Sequence, residues 1–236
     1  MENLYTVDTY NYTRIQNLPC LNDTRSNRGS KKAKGYKNCL CAFDIETTRL
    51  EDIEQSIMYI WQFSILFLDD LHIDTIIGRN WSEFELFIDN LMNDDNYAYY
   101  MIFVHNLSYE FQFLRGIYTF SPDEVFAIKS RKILKCEMLE RFEFRCSYLQ
   151  TNMSLNTFTS KMKVKHQKLS GEKFDYSKKR FPWTELTDYE IKYSTYDTIG
   201  LVEAMYKRMI LSNDNLYTLP LTSTGYVRRE TKKAMY

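Results

Sequence analysis

Two acidic side chains stand one residue apart at the end of an apolar run. Asp44 and Glu46 flank Ile45, and the run leading to them begins at Cys39. Residues i and i+2 of a strand face the same side, so both carboxylates point to one place. Two adjacent carboxylates repel each other unless a cation binds between them. Hard oxygen ligands this close together suit Mg²⁺ or Mn²⁺. Alone, the pair is more typical of two solvated acids at a strand end than of a metal site.

Two further acids lie where helices are predicted. Glu110 falls in the first turn of a short helix that follows an apolar strand, and Asp197 lies in the middle of a long helix. Tyr193 precedes Asp197 by four residues, so the two share a helix face. An unpaired carboxylate among the apolar neighbours of Asp197 would be costly, and a metal ion would remove that cost. For Tyr193, ordinary packing on the helix face is the alternative.

Strands and helices are predicted to alternate around these acids. Period-two and buried apolar runs indicate strands at 39–45, 57–68, 72–77 and 99–105, and two or three more between 125 and 149. Helical spacing indicates helices at 81–91, 108–116, 154–162 and 188–211. Residues 164–185 are predicted to form a loop, and residues 1–36 an irregular, mobile extension. The expected fold is α/β, with a central mixed sheet and helices packed on it.

Charge and composition restrict the possible functions. The 236 residues carry a formal net charge of +0, so bulk charge does not make the chain a general binder of polyanions. Basic residues are concentrated at 25–37 and 161–180, where they could neutralise phosphates or be solvated. Aromatic residues make up 16 % of the chain, which offers rings that could stack on bases.

The cysteines and the hydropathy pattern indicate an intracellular setting. The chain has five cysteines, an odd number without CxxC pairing, which argues against a disulfide framework. No signal peptide and no apolar run of about 18 residues is visible. We therefore expect a cytoplasmic protein with no membrane partner.

The acidic motifs together resemble a known family. FDIETT at 43–48, HNLSYEF at 105–111 and Y-x₃-D at 193–197 occur in the order and approximate spacing of the three motifs of DEDD-type 3′–5′ exonucleases with a tyrosine in the third motif. In particular they resemble the proofreading domain of family B DNA polymerases, above all the protein-primed enzymes of phages and linear plasmids. The resemblance covers about residues 38–211.

The resemblance implies a ribonuclease-H-like fold and a division of the chain. Residues 37–212 would form the exonuclease domain, after a basic extension at 1–36. Residues 213–236 look like the segment that leads toward a polymerase domain. The paired metal motifs of a polymerase active site are not found in the sequence, so no polymerase activity is expected of this chain.

The resemblance also implies an activity, a 3′–5′ exodeoxyribonuclease that releases nucleoside 5′-monophosphates from the 3′ end of single-stranded DNA. Two divalent cations, Mg²⁺ or Mn²⁺, would be held by Asp44, Glu46, Glu110 and Asp197. Tyr193 would position the attacking water. A catalytic lysine would be Lys173, favoured over Lys168. Glu110 departs from the family, which usually has aspartate there.

Strand-binding residues and partners follow from the same resemblance. The residues expected to hold the terminal nucleotides are Thr47, Phe103, His105, Asn106, Tyr109, Phe113, Ser147 and Tyr148. A polymerase domain or other replication proteins would be partners, in the cytoplasm of a bacterial or phage-infected host. Two alternatives remain open: a metal-impaired module that binds single strands or a replication partner, and a 3′–5′ RNA exonuclease.

Overall fold

The computed structural model describes residues 3–21, 34–94 and 97–235, and their apolar runs form ten strands. The strands are β1 (Leu4–Thr6), β2 (Cys20–Leu21), β3 (Tyr36–Lys37), β4 (Cys39–Leu50), β5 (Gln55–Phe67), β6 (Ile73–Gly78), β7 (Tyr100–Val104), β8 (Val125–Lys129), β9 (Lys132–Met138) and β10 (Phe142–Cys146). Eight of them make one sheet in the order β1-β6-β5-β4-β7-β10-β9-β8, while β2 and β3 pair separately.

The sheet mixes both strand directions. β4, β5 and β6 are antiparallel neighbours, whereas β4, β7 and β10 run parallel to one another. The mixed α/β fold predicted from the sequence is therefore confirmed. Because β4, β7 and β10 are parallel, the later residues of β4 and the residues that follow β7 and β10 lie at one edge of the sheet.

Seven helices are formed by the described residues: α1 (Thr13–Gln16), α2 (Trp81–Met92), α3 (Leu107–Leu114), α4 (Ser147–Thr151), α5 (Leu155–Met162), α6 (Asp188–Leu211) and α7 (Ser223–Ala234). The bounds of α6 are those predicted, and a capping box of Thr187 with Glu190 begins it. Asn80 caps α2 by accepting a hydrogen bond from the backbone N–H of Glu83.

Each face of the sheet supports its own core. Along β4, Cys41, Phe43 and Ile45 pack in the core that includes residues of α2 and α3. Leu40 and Ala42 point to the other core, which includes residues of α5 and α6. Because side chains alternate along a strand, Asp44 and Glu46 continue the face that α6 covers. The periodicity of one strand thus directs both acids toward the long helix.

The N-terminal extension is more regular than predicted. Residues 1–36 were expected to be irregular, but β1 joins the edge of the main sheet beside β6, and Ile15 and Leu18 are buried. The ammonium group of the buried Lys37 donates hydrogen bonds to the carbonyls of Ile15 and Gln16, which draws α1 onto the sheet. The short elements lack a visible period because they are too brief to show one. The basic residues from Arg25 to position 33 lie outside the described residues.

The C-terminal segment packs against the end of β10. Gln150 donates to the carbonyl of Pro220 at 2.6 Å, and Arg145 donates to that of Leu219 at 3.2 Å. α7, a helix that was not predicted, follows with Thr222 as its N-cap. Across the described residues, no helix has both the length and the apolar character needed to cross a bilayer.

Candidate metal centre and nucleic-acid cleft

Three of the four predicted ligands form one carboxylate cluster. Asp44 and Glu46 from β4 and Asp197 from α6 each present an oxygen, and these atoms all lie within 4.8 Å of one another. The cluster lines a cleft of about 230 Å³, together with His105, Lys168 and other residues. The acids are therefore open to solvent through the cleft and converge on a space that a small cation can fill.

A polar contact between α6 and the sheet places Asp197 over β4. Ser64 of β5 is buried and hydrogen-bonds Thr198 at 2.7 Å, and Thr198 immediately follows Asp197. A second bond joins Ser64 to Thr75 at 2.9 Å. Buried hydroxyls need such partners, so this network fixes the rotation of α6 on the sheet. The rotation brings Asp197 to the strand that carries Asp44 and Glu46.

The carboxylates of the cluster repel one another. Burial and the neighbouring Asp197 raise the pKa of Asp44 to about 7. Burial, Asp44 and Asp197 raise the pKa of Glu46 to about 8. Among the described residues, Oδ1 of Asp197 is buried and has no hydrogen-bond partner. A repelling set of hard oxygen ligands with an orphaned oxygen fits a divalent cation such as Mg²⁺ or Mn²⁺.

Glu110 is adjacent to the cluster without belonging to the group of three. It lies in the first turn of α3, which begins after Asn106 in a left-handed conformation with φ 90°. Burial and interaction with Asp44 raise the pKa of Glu110 well above its usual value. Oε2 of Glu110 is buried and unpartnered within the described chain. The longer side chain thus brings a carboxyl group to Asp44, beside the cluster.

Lys168 provides the positive charge of the site. Its ammonium group contacts Oδ2 of Asp197, which raises the pKa of Lys168 even though burial opposes the charge. Gly200 lets the backbone of His166, two residues before Lys168, approach α6, because a Cβ there would meet the carbonyl oxygen of His166 at 2.3 Å. Glu203 then binds the backbone N–H of His166 at 2.9 Å. Lys173, the lysine favoured from the sequence, has a side chain outside the described residues; the structure places Lys168 at the cluster.

Tyr193 reaches the same cleft from the preceding turn of α6. Its hydroxyl lies 2.9 Å from that of Tyr176, and its ring packs on Phe174 at 4.4 Å between centroids. Burial and the hydrogen bond with Tyr176 raise its pKa, so the hydroxyl stays protonated at neutral pH. Tyr193 therefore combines packing with a hydroxyl beside the acids, and the two interpretations of this residue are compatible.

Gln62 belongs to the site, although it was not among the predicted residues. It pairs with Asp44 in the register of β4 and β5, is fully buried, and donates from Nε2 to Oδ2 of Asp44 at 2.9 Å. One signal in the sequence could have found it. Gln62 and Ser64 are the polar members of the apolar run at 57–68, and their spacing puts them on one face.

A second cleft of about 520 Å³ shares residues with the first. Three predicted strand-binding residues line it: His105, Asn106 and Tyr148. Burial and the charge of Lys168 lower the pKa of His105 to about 4, so the ring is neutral near pH 7. Tyr148 packs edge-on against His105 at 5.8 Å and is 42 % exposed. This cleft therefore offers aromatic and polar groups directly beside the acids.

The other predicted contact residues differ in their access to this surface. Thr47 and Tyr109 hydrogen-bond through their hydroxyls at 2.6 Å, and Tyr109 is partly exposed. Ser147 is buried, donates to the carbonyl of Val104 and bonds Nδ1 of His105, so it orients the ring and does not face the cleft. Phe113 is half-buried against Trp81.

The prediction that Phe103 contacts the nucleic-acid strand is wrong. It is fully buried in the core between the sheet and α6. Alternation along β7 explains this position, because Phe103 points to the same face as Met101, beneath the helix. A base cannot stack on a ring that has no exposed surface.

Comparisons with known proteins support the fold. No protein-family model and no curated protein matches the sequence. The structure of phi29 DNA polymerase complexed with single-stranded DNA is 14 % identical with a TM-score of 0.64, over 84 % of this chain and 35 % of that chain. Its ternary complex with primer-template DNA and incoming nucleotides is 15 % identical with a TM-score of 0.61, over 84 % and 34 %. The chain thus spans about a third of those polymerases and has a similar fold.

Proposed function

We propose that the protein is a metal-dependent 3′–5′ exonuclease that acts on single-stranded DNA. The observation that carries the proposal is the convergence of Asp44, Glu46 and Asp197 within 4.8 Å in an open cleft. The ordered motifs and the likeness to a polymerase fold support the same conclusion. The domain would have a ribonuclease-H-like fold and serve proofreading in a phage-like family B polymerase. Residues 37–212 would form it, with 213–236 leading to a polymerase domain.

The residues of the cleft have complementary roles in this proposal. Asp44, Glu46 and Asp197, with Glu110, would hold two cations, Mg²⁺ or Mn²⁺. When bound, such ions activate water and stabilise the leaving oxygen. Tyr193 presents a protonated hydroxyl that can orient a water, and Lys168 can offset charge that develops on the phosphate. The released products would be nucleoside 5′-monophosphates.

Single strands are the proposed substrate because a terminal base must leave its stack to enter a small cleft. His105, Asn106 and Tyr148 line the adjoining cleft, and Tyr109 with Thr47 borders the acids. These groups would hold the terminal nucleotides. The similar solved structures include a polymerase bound to single-stranded DNA, which is consistent with this partner.

The test compares 3′-labelled with 5′-labelled single-stranded DNA in the presence of Mg²⁺ or Mn²⁺. The 3′ label should be released as a mononucleotide, and the 5′ label should report a ladder of shortening strands. Asp44→Ala with Glu46→Ala should abolish both signals while circular dichroism shows a folded protein. The exposed pair Glu51→Ala with Asp52→Ala is the matched control and should retain activity. A double variant of Asp44 and Glu46 that still digests the strand would refute the assignment, and an RNA strand run in parallel tests sugar preference.

The position of Glu110 favours one alternative. Its carboxyl group pairs with Asp44 and is not part of the group of three. If this arrangement prevents binding of a second cation, the fold would bind strands without cutting them. Fluorescence anisotropy would then report binding with no cation-dependent shortening.

The variant Glu110→Ala tests whether Glu110 is a metal ligand of an active enzyme. If it is, the variant should lower activity at least about tenfold. Unchanged activity would remove Glu110 from the proposed ligands.

A further inference from the structure

A braced aromatic turn stands beside the candidate metal centre. The rings of Phe181 and Trp183 are stacked with centroids 5.1 Å apart and planes inclined by 3°. The backbone N–H of Phe181 donates to Oγ1 of Thr184 at 2.9 Å, and the N–H of Thr184 donates back to the carbonyl of Phe181 at 2.9 Å. Arg79 donates to the carbonyls of both Phe181 and Thr184. Hydrogen bonds within the turn and from Arg79 therefore hold the turn in place.

The hydrogen-bonded turn leaves the large apolar ring of Trp183 exposed to solvent. Trp183 is 79 % exposed, although an indole ring is among the side chains that gain most from burial. Phe181 beneath it is half-buried, so one face of the indole is supported and the other is free. A ring fixed in this way loses little conformational entropy when a flat partner stacks on it. The turn is thus preorganised for a planar ligand.

Ring contacts and the chain itself connect the turn to the acids. Tyr193 of the cleft packs on Phe174, and the guanidinium of Arg180 lies 4.3 Å from the centre of the Phe174 ring. Arg180 directly precedes Phe181, and its N–H donates to Oγ1 of Thr48 on β4, two residues beyond Glu46. A strand that enters the cleft can therefore pass close to Trp183.

We propose that Trp183 is a stacking platform for an unpaired base of the nucleic-acid strand, outside the pocket that holds the 3′-terminal nucleotide. The flat, supported ring suits a base of any identity, since each base has a π-face. The exposed Lys179 lies in the same loop and can neutralise phosphates of the nucleic-acid strand. This inference rests on the proposed function, because it assigns a path to that function's substrate.

Trp183→Ala, Trp183→Phe and Tyr97→Ala, each in the full chain, provide the test. Tyr97 is 84 % exposed and precedes β7, at the opposite edge of the sheet from the acids, so it is a matched control. KM and kcat are measured for a dinucleotide and for single strands of increasing length. In parallel, quenching of tryptophan fluorescence is measured as oligonucleotide is added with cations chelated, each protein carrying Trp81→Phe because Trp81 stacks on Phe113; the buried Trp61 serves as the internal reference.

Trp183→Ala should raise KM for longer strands by about tenfold, leave kcat and dinucleotide cleavage unchanged, and abolish most of the quenching. Trp183→Phe should recover most of the affinity, and Tyr97→Ala should match the unmodified protein. An unchanged KM for every length, or quenching that persists in Trp183→Ala, would overturn the proposal. So would sedimentation showing a dimer that Trp183→Ala dissociates, since the ring would then bind a second copy. If no version cuts any strand but quenching still depends on Trp183, the proposed function fails and the platform stands.

Discussion

At the scale of single residues, the site depends on how Asp44 is held. Oδ2 accepts a hydrogen bond from Gln62 of β5, while Glu110 of α3 interacts with the same carboxyl group. Groups that orient a metal ligand commonly contribute tenfold to a hundredfold in metal affinity. Gln62 is therefore a positioning residue whose effect should appear in cation binding before it appears in the rate at saturation.

Gln62→Leu should raise the cation concentration needed for half-maximal activity by about tenfold, with a smaller change in kcat at saturating cation. The side chains are similar in size, so the core stays filled and only the donor to Asp44 is lost. Titration calorimetry with Mn²⁺ gives the affinity independently of turnover. Gln112→Leu, at an exposed position of α3, is the control. Equal affinities for Gln62→Leu and the unmodified protein would contradict the role.

The repulsion among the acids also predicts a pH-dependent response to metal. Burial and neighbouring charge raise the pKa of Asp44 to about 7 and that of Glu46 to about 8. A raised folded-state pKa contributes stability that is complete below the unfolded value, about 4, and is lost as the pH rises. The metal-free protein should therefore lose stability between about pH 4 and pH 8.

Added Mn²⁺ should restore this stability, and the gain in Tm over EDTA should be larger near pH 8 than near pH 5. For a protein of this size, each kcal/mol corresponds to about 2–4 °C. Asp44→Asn with Glu46→Gln removes both titrations and should abolish the difference. A gain that is equal at both pH values would show that these carboxyls do not bind the ion.

At the scale of elements, periodicity predicted most of what positions the acids. The strand that carries Asp44 and Glu46, the strand before His105 and the bounds of α6 all follow from apolar patterns, although β4 continues past its predicted end to Leu50. Contacts without a local signature were not predictable. The approach of His166 to α6 depends on Gly200, a single residue whose role appears only when two distant segments meet. The choice between Lys168 and Lys173 was of this kind, because a loop without period carries both.

Gly200→Ala tests the contact that presents Lys168. The new methyl group would lie 2.3 Å from the carbonyl oxygen of His166 and must displace that backbone segment. We expect destabilisation of about 1–3 kcal/mol from overpacking, and loss of activity as Lys168 moves from Asp197. Urea unfolding and strand digestion measure the two effects. Full activity in Gly200→Ala would show that Lys168 needs no such support.

At the scale of the whole molecule, one face of the sheet supports an apolar core and the other carries the candidate site. The face packed on α2 and α3 is a continuous apolar core, whereas the face under α6 is apolar near the amino end of β4 and polar near its carboxyl end. The parallel arrangement of β4, β7 and β10 gathers the polar groups at one edge. The sequence predicted a mixed sheet, but not strand order, because pairing between distant strands leaves no local pattern.

The N-terminal residues are part of this whole, which distinguishes them from a dispensable arm. Ile15 is fully buried, and its carbonyl accepts a hydrogen bond from the ammonium of Lys37, which also pairs with Asp94 at 2.6 Å. Ile15→Ala should cost about 2–5 kcal/mol, a large share of a typical total of about 5–15. Asp8→Ala, at an exposed position of the same segment, should change stability by no more than about 0.5 kcal/mol. Removing residues 1–21 should prevent folding, because it strips β1 from the sheet and leaves Lys37 with fewer partners. A truncated protein that unfolds in urea at the same midpoint as the full chain would show that the segment is the mobile extension that its composition suggested.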